Sequence, residues 1–162
     1  MATTRTTATT QDLVIERTFN APRDLVWKAW TEPERFKRWW GPKTFTTPFS
    51  EIDLRVGGAY RYCMRAPDGK DYWGGGTFRE IVPQRRIVAT DSFVDPQGNV
   101  VPASYSGMAE DWPLELLLTV TFEEHDGKTR FTLRHSGMPV VDQDKTRQFW
   151  NESFDKLAAD LS

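Results

Sequence analysis

The chain has 162 residues, and its 21 lysines and arginines against 23 aspartates and glutamates give a formal net charge of −2. This length suits one domain with a substantial core, and the even charge balance argues against a surface that binds nucleic acid. No apolar run reaches the roughly 18–20 residues of a membrane span and no signal-peptide pattern opens the chain, so we expect a cytoplasmic protein.

The chain begins with a segment that lacks any periodic pattern. Residues 1–11 are rich in threonine and have no apolar periodicity, so we predict a flexible tail and a single domain over residues 12–162. In residues 13–19, Leu13, Ile15 and Arg17 alternate with Val14, Glu16 and Thr18, which predicts the first β-strand.

Residues 19–42 predict two short helices in succession. Pro22 suits the first turn of a helix, where a missing N–H costs nothing. Thr31 and Glu34 have the spacing of a capping box, which predicts the start of a second helix, and Gly41 ends it. Helices this short are not stable alone in water, so we expect them to pack against a sheet.

The region after Pro42 predicts consecutive antiparallel strands joined by tight turns. Asp68 and Gly69 form a typical hairpin turn, as do Asp126 and Gly127. A break is expected near Pro48, because proline cannot donate a ladder hydrogen bond. The predicted strands cover residues 44–54, 60–65, 72–82, 86–94, 114–124 and 129–135.

The remaining segments are a long loop and a terminal helix. Residues 99–113, which include Met108 and Trp112, have no clear period and predict an ordered loop or a mobile gate. Asp142 is a candidate cap for a helix that runs to the end of the chain, with its apolar stripe on Trp150, Phe154, Leu157 and Leu161. Because the helix must bury this stripe against the sheet, the sequence predicts an α+β helix-grip arrangement.

Five stretches carry a resemblance to a known family. They are FNAPRDLVWKAWTEPERFKRWWGP (19–42), GGAYRYCMRAPDG (57–69), GTFREIVPQRRIV (76–88), TVTFEEHDGKTRFTLRHSGMP (119–139) and WNESFDKLAADL (150–161). The chain resembles the START-like superfamily (SRPBCC, Bet v-like, polyketide cyclase-like), in the branch of activators of the heat-shock protein 90 ATPase. The resemblance implies a curved sheet of six to seven strands around the terminal helix, with a cavity between them.

Strand alternation then predicts which side chains face that cavity. Trp39 and Trp40 are expected near its mouth, and Tyr60, Tyr62 and His135 are expected to anchor a ligand through polar groups. Asp91 would place a carboxylate in a mostly apolar pocket, where it needs a partner. The predicted ligand-binding residues are Trp39, Trp40, Tyr60, Tyr62, Met64, Phe78, Asp91, Phe93, Trp112, Leu118, His135, Trp150 and Phe154.

Asp91 and His135 are also the candidate catalytic residues. A carboxylate and an imidazole in a closed apolar cavity could perform general acid–base chemistry on a cyclic or enolisable substrate. The alternative is structural: His135 bonded to backbone or to a tyrosine, with Asp91 solvated. A metal site is not predicted, because His125 and His135 lie ten residues apart and show no metal-binding spacing.

Two further features have a chemical and a structural interpretation. Cys63, the only cysteine, is predicted on the outer face beside Arg61 and Arg65, which would lower its thiol pKa; the alternative is inert packing. Glycines 74–76 open no helix and are not followed by a Lys-Ser or Lys-Thr pair, so a phosphate loop is not indicated. We expect them to leave room for the rings of Trp73 and Phe78.

Three functions remain open from the sequence. The first is binding of a small hydrophobic or aromatic molecule, as a carrier, sensor or resistance protein, by a monomer or homodimer without a cofactor. The second, implied by the resemblance, is a module that contacts a chaperone; a cavity blocked by side chains would favour it. The third is a cyclase-like or hydrolase-like enzyme that uses Asp91 and His135; a contact between them that faces open volume would favour it.

Overall fold

The computed structural model describes residues 12–106 and 113–161. The predicted tail over residues 1–11 and the candidate gate residues Met108 and Trp112 lie outside the described residues. None of the described helices is long and apolar enough to cross a membrane.

Seven strands in the described part of the chain form one antiparallel sheet in the order β1-β7-β6-β5-β4-β3-β2. The strands are β1 (Leu13–Phe19), β2 (Thr46–Ile52), β3 (Ala59–Arg65), β4 (Asp71–Val82), β5 (Arg86–Phe93), β6 (Leu116–His125) and β7 (Lys128–Ser136). Consecutive strands from β2 to β7 are neighbours, and β1 returns to the far edge beside β7. The expected break in β2 is confirmed, because its register with β3 shifts between Thr46 and Phe49, around Pro48.

Three α-helices accompany the sheet: α1 (Arg23–Thr31), α2 (Pro33–Trp39) and α3 (Gln143–Leu161). Short 3-10 turns occupy Ala103–Ser106 and Val140–Asp142. The two short helices follow β1 and the long helix ends the chain, so the predicted helix-grip fold is confirmed.

The junction between α1 and α2 differs from the prediction. Glu32, not Thr31, is the N-cap of α2, and it makes no side-chain capping bond. Thr31 is still the last residue of α1, so its hydroxyl donates back to the carbonyl of Trp27 at 2.9 Å. The capping box is therefore wrong, and Pro33 in the first turn marks the start of α2 instead.

The core lies between the concave face of the sheet and helix α3. Trp150, Phe154 and Leu157 on one face of α3 are almost completely buried. The hydroxyl of Ser153 donates to the carbonyl of Gly41 at 2.9 Å and ties α3 to the segment after α2. Lys156 donates to two carbonyls of the same segment, and its partial burial lowers its pKa. These bonds hold the helix over the sheet.

Candidate functional site

A polar cluster lies within this aromatic core. Asp91 on β5 and His135 on β7 both point to the concave side, and Oδ2 of Asp91 lies 2.8 Å from Nε2 of His135. Trp150 on α3 completes the cluster, because its Nε1–H donates to Nδ1 of His135 at 3.3 Å. His135 is 4% exposed, whereas the Asp91 side chain keeps 20% exposure.

The indole contact fixes the protonation of His135. An indole nitrogen can only donate, so Nδ1 of His135 must be an unprotonated acceptor and the ring hydrogen resides on Nε2. Nε2 is close to Asp91, yet it has no well-aligned hydrogen-bond acceptor among the described residues. The contact is therefore a short polar approach with poor hydrogen-bond direction, made by an uncharged imidazole.

The sheet register brings these residues together. Leu118 on β6 pairs with His135 on one side and with Ala89 on the other, while Asp91 pairs with Leu116. Asp91 and His135 thus lie diagonally across one intervening strand, on the same face. The structural alternative is corrected in one respect: the hydrogen-bond partner of the imidazole is Trp150, and neither backbone nor a tyrosine.

Two tyrosines of β3 extend the polar region. The rings of Tyr60 and Tyr62 stack with centroids 6.4 Å apart, and the Tyr60 hydroxyl donates to the carbonyl of Thr90 at 2.6 Å. Burial raises the pKa of both phenols well above the usual value, and the nearby Asp91 carboxylate raises it further. Both tyrosines are therefore neutral hydrogen-bonding groups at physiological pH.

Glycines of β4 make room for these rings. Tyr60 pairs with Gly76 and Tyr62 pairs with Gly74. A side chain at Gly74 would overlap the Tyr62 ring, and one at Gly76 would overlap the backbone of Thr90. The expectation that these glycines serve Trp73 and Phe78 is therefore wrong, since the crowding groups lie on the neighbouring strands β3 and β5.

Two small pockets open on this side of the molecule. The first is apolar, with a volume of about 40 Å³, and is lined by Trp30, Phe36, Trp40, Ile52, Tyr60, Phe78, Ile87, Ala89, Leu118 and Val120. The second has about 60 Å³ and is lined by Tyr62, Met64, Tyr72, Trp73, Asp91, Ser92, Phe93 and Leu116. One buried water needs roughly 10–15 Å³ of cavity volume, so each pocket holds only a few small groups.

The predicted binding residues that the structure describes divide into three groups. Trp40, Tyr60, Phe78 and Leu118 line the apolar pocket. Tyr62, Met64, Asp91 and Phe93 line the second pocket. Trp39, His135, Trp150 and Phe154 line neither pocket, and Trp112 lies outside the described residues.

The expected position of the tryptophan pair at the cavity mouth is wrong. Trp39 is 0% exposed and donates its Nε1–H to the carbonyl of Ala29 at 3.0 Å. Trp40 is 3% exposed and packs against Phe36 and Tyr62, so it lines the apolar pocket from inside. Helix α2 turns this pair towards the core, where large aromatic rings bury the most apolar area.

Sequence reasoning missed several lining residues. Trp30 and Phe36 lie on the two short helices, for which the sequence predicts only packing against the sheet. Trp30 belongs to the apolar stripe of α1, but the stripe does not show which surface Trp30 packs against. Strand alternation could have predicted that Ile87 lines the pocket, because Ile87 shares a face of β5 with Ala89.

Cys63 is not an activated thiol. It is 2% exposed, and burial raises its pKa to about 11, with the nearby Asp71 carboxylate adding to the rise. Arg65 opposes this shift but does not overcome it, and it pairs with Asp71 at 2.8 Å. The expected lowering of the pKa is therefore wrong, because burial outweighs the neighbouring charge.

A curved antiparallel sheet around a long C-terminal helix, with two short helices after β1, defines a START-like protein. The family model described as "Activator of Hsp90 ATPase homolog 1-like protein" matches residues 20–162, and the chain belongs to this family. Proteins with this fold typically bind hydrophobic ligands. No curated protein matches the chain.

Solved structures from several bacteria are similar to the chain. A protein from Chromobacterium violaceum has 26% identity and a TM-score of 0.77, with 93% of this chain and 96% of that chain covered. A protein from Arthrobacter aurescens has 26% identity and a TM-score of 0.75, with 93% and 85% covered. A protein from Nitrosomonas europaea has 24% identity and a TM-score of 0.75, with 91% and 92% covered, which supports the fold alone.

Proposed function

We propose that the chain binds a small hydrophobic or aromatic molecule on the concave side of the sheet, beneath helices α1 and α2, as a carrier or sensor; no residue of α3 lines either pocket. The observation that carries the proposal is the apolar pocket between α1, α2 and the sheet, which the stacked rings of Tyr60 and Tyr62 separate from the pocket beside Asp91. An apolar surface with a few converging polar groups is the usual form of a small-molecule site.

The volumes determine how such a molecule enters. Tyr60 lines the apolar pocket and Tyr62 lines the second pocket, and the two stacked rings lie between them. A ligand larger than a few atoms must move these rings apart and join the two pockets. Tyr60 is held by its bond to Thr90, so binding costs at least that hydrogen bond unless the ligand replaces it.

A second candidate is a module that contacts a chaperone through its surface. The family description supports this candidate, and so does the small volume of the pockets, because a nearly filled core leaves the surface as the interacting part. The candidate predicts that a purified chaperone binds the protein and that hydrophobic probes do not.

The enzyme alternative gains little from the geometry. Nδ1 of His135 already accepts from Trp150, and Nε2 faces Asp91. Neither ring nitrogen is directed to open volume, so the imidazole has no free lone pair with which to accept a proton from a substrate. We therefore place Asp91 and His135 in binding and not in catalysis.

Filling the apolar pocket tests the proposed function. Ala89 lines this pocket and is buried, so Ala89→Leu adds carbon atoms where the ligand would lie. Ala59→Leu adds the same atoms at an exposed position of β3 and serves as the matched control. We expect a naphthalene-based fluorescent probe to bind the parent and Ala59→Leu, and to bind Ala89→Leu at least about tenfold more weakly. Equal binding to all three proteins would contradict the proposal.

Three further proposals concern the protein as a whole. We propose that residues 12–162 form a single domain that unfolds in one cooperative transition, which calorimetry can check. We also propose a cytoplasmic location and a monomeric or homodimeric state. Cell fractionation and light scattering test these two proposals.

A further inference from the structure

We propose that the ligand carries a protonated amine, and that Asp91 binds this ammonium group while the apolar part of the ligand occupies the neighbouring pocket. This inference rests on the proposed function, because it names the chemical class of the molecule that the concave side receives. It follows from the charge of the cluster, from the side chains around Asp91 and from the shape of the two pockets.

The negative charge of Asp91 has no positive partner in the described structure. His135 is the only basic residue that pairs with it among the described residues, and the donor from Trp150 leaves that imidazole uncharged. An imidazolium would need to donate from Nδ1, where the indole N–H already points. A carboxylate that is only 20% exposed gains much from a cationic partner, because burial removes part of its hydration.

The side chains around Asp91 suit an organic cation. Tyr62, Tyr72 and Phe93 line its pocket from the same face of the sheet, and aromatic faces attract ammonium groups. The hydroxyls of Tyr60 and Tyr62 stay neutral because burial and Asp91 raise the pKa of both phenols, so they add no second negative charge. An anionic ligand would meet the Asp91 carboxylate and be repelled.

The Tyr62 hydroxyl supplies a second acceptor in the same pocket. Tyr62 and Asp91 both line this pocket, and the carboxylate is close enough to raise the pKa of the phenol. Ser92 follows Asp91 on β5, so its buried hydroxyl points to the opposite face of the sheet and does not belong to the site. A primary ammonium group has three N–H donors, so it can bond Asp91 and the Tyr62 hydroxyl together.

The two pockets divide the ligand into a head and a body. The pocket of about 60 Å³ beside Asp91 accepts an ammonium group with its first carbons. The apolar pocket of about 40 Å³ lies beyond the stacked tyrosines and accepts part of an aromatic or aliphatic body once those rings separate. The geometry therefore favours a primary amine joined through a short linker to an apolar group.

Three probes with one common body test the inference. They are 2-(1-naphthyl)ethylamine, 2-(1-naphthyl)ethanol and 1-naphthylacetate, titrated into the protein at pH 7 by isothermal calorimetry. We expect the amine to bind roughly tenfold more tightly than the alcohol, and the carboxylate to bind most weakly, because only the amine can form a charge-assisted bond with Asp91.

Two variants test whether Asp91 causes the preference for the amine over the alcohol. Asp91→Asn should remove the advantage of the amine over the alcohol, so that the two probes bind with nearly equal affinity. Glu124→Gln, at an exposed position of β6, changes the net charge equally and should keep the preference. Circular dichroism checks the fold of Asp91→Asn, and if that variant does not fold, the comparison of probes on the parent protein decides the inference alone.

The outcomes distinguish failure of the amine inference from failure of the proposed function. If the alcohol binds as tightly as the amine, the amine inference is overturned while the proposed binding of apolar molecules stands. If none of the three probes binds the parent protein, the proposed function fails and the inference fails with it. An amine preference that survives in Asp91→Asn would show that another group provides the charge and would also overturn the inference.

Discussion

The two halves of the concave side have opposite characters, although both come from inward-facing side chains. Under α3, Trp30, Trp39, Phe131 and Phe154 pack in direct contact, with ring centroids about 5–6.5 Å apart. Towards β3–β5, the inward positions carry tyrosines and Asp91, and the strand between them carries glycines. The first half stabilises the fold, whereas the second leaves polar groups and space for binding.

The largest expected effect comes from the packed half. Phe154 is fully buried among five aromatic rings, so Phe154→Ala should lower the free energy of unfolding by about 3–5 kcal/mol. Urea denaturation measures the loss. Phe149 on the same helix is only half-buried, so Phe149→Ala should cost clearly less. Equal losses would mean that the two halves do not differ in packing as described.

The next effect concerns the glycine strand in the polar half. Gly74→Ala should lower the free energy of unfolding by about 1–3 kcal/mol, because the added methyl group overlaps the Tyr62 ring. In a double-mutant cycle, Tyr62→Leu should relieve most of this loss. Gly76→Ala is the control, because its clash is with the Thr90 backbone and Tyr62→Leu should not relieve it.

A smaller effect is expected where the two halves meet. Trp150→Phe keeps most of the ring contacts but removes the N–H that donates to Nδ1 of His135. We expect a loss of about 1 kcal/mol in the free energy of unfolding. Nitrogen NMR should find the Nε2–H tautomer of His135 in the parent protein. A parent protein with the hydrogen on Nδ1 would contradict the assigned direction of this bond.

The smallest effect lies on the outer face and depends on pH. Burial raises the pKa of the Cys63 thiol in the folded protein to about 11, above the usual value of 9.0 for a thiol. Since the unfolded thiol ionises first, its contribution to stability is complete below about pH 9 and is lost as the pH rises towards 11. We therefore expect the stability of the parent to fall more steeply over this range than that of Cys63→Ala. Parallel slopes in pH-dependent denaturation would contradict the raised pKa.

The sequence predicted the fold well because the relevant signals are local. Alternation and hairpin turns located every strand of the sheet within about two residues at most ends, as for β3 and β7. The final helix was equally clear, because its stripe and the position of Asp142 mark it. The prediction of a capping box was wrong because the boundary between the two helices lies one residue later than expected. Thr31 is the last residue of α1, and Glu32 is the N-cap of α2.

The candidate site was predicted only in part because it depends on neighbours across strands and layers. Alternation placed Asp91 and His135 on one face, but the bond from Trp150 depends on how α3 lies over β7. The glycines of β4 were assigned to the wrong rings, since the pairing of Gly74 with Tyr62 is a property of the assembled sheet. Burial of Cys63 likewise depends on surroundings that the sequence does not reveal.

Native mass spectrometry of the protein purified from its own host tests the central claim most directly. The account predicts a discrete small molecule that stays with the folded protein, leaves on denaturation and is absent from Ala89→Leu. Its mass and fragmentation would identify the apolar body and show whether an amine is present. An empty protein that also fails to bind a broad panel of hydrophobic probes in thermal-shift assays would contradict the account and favour a surface that contacts a chaperone.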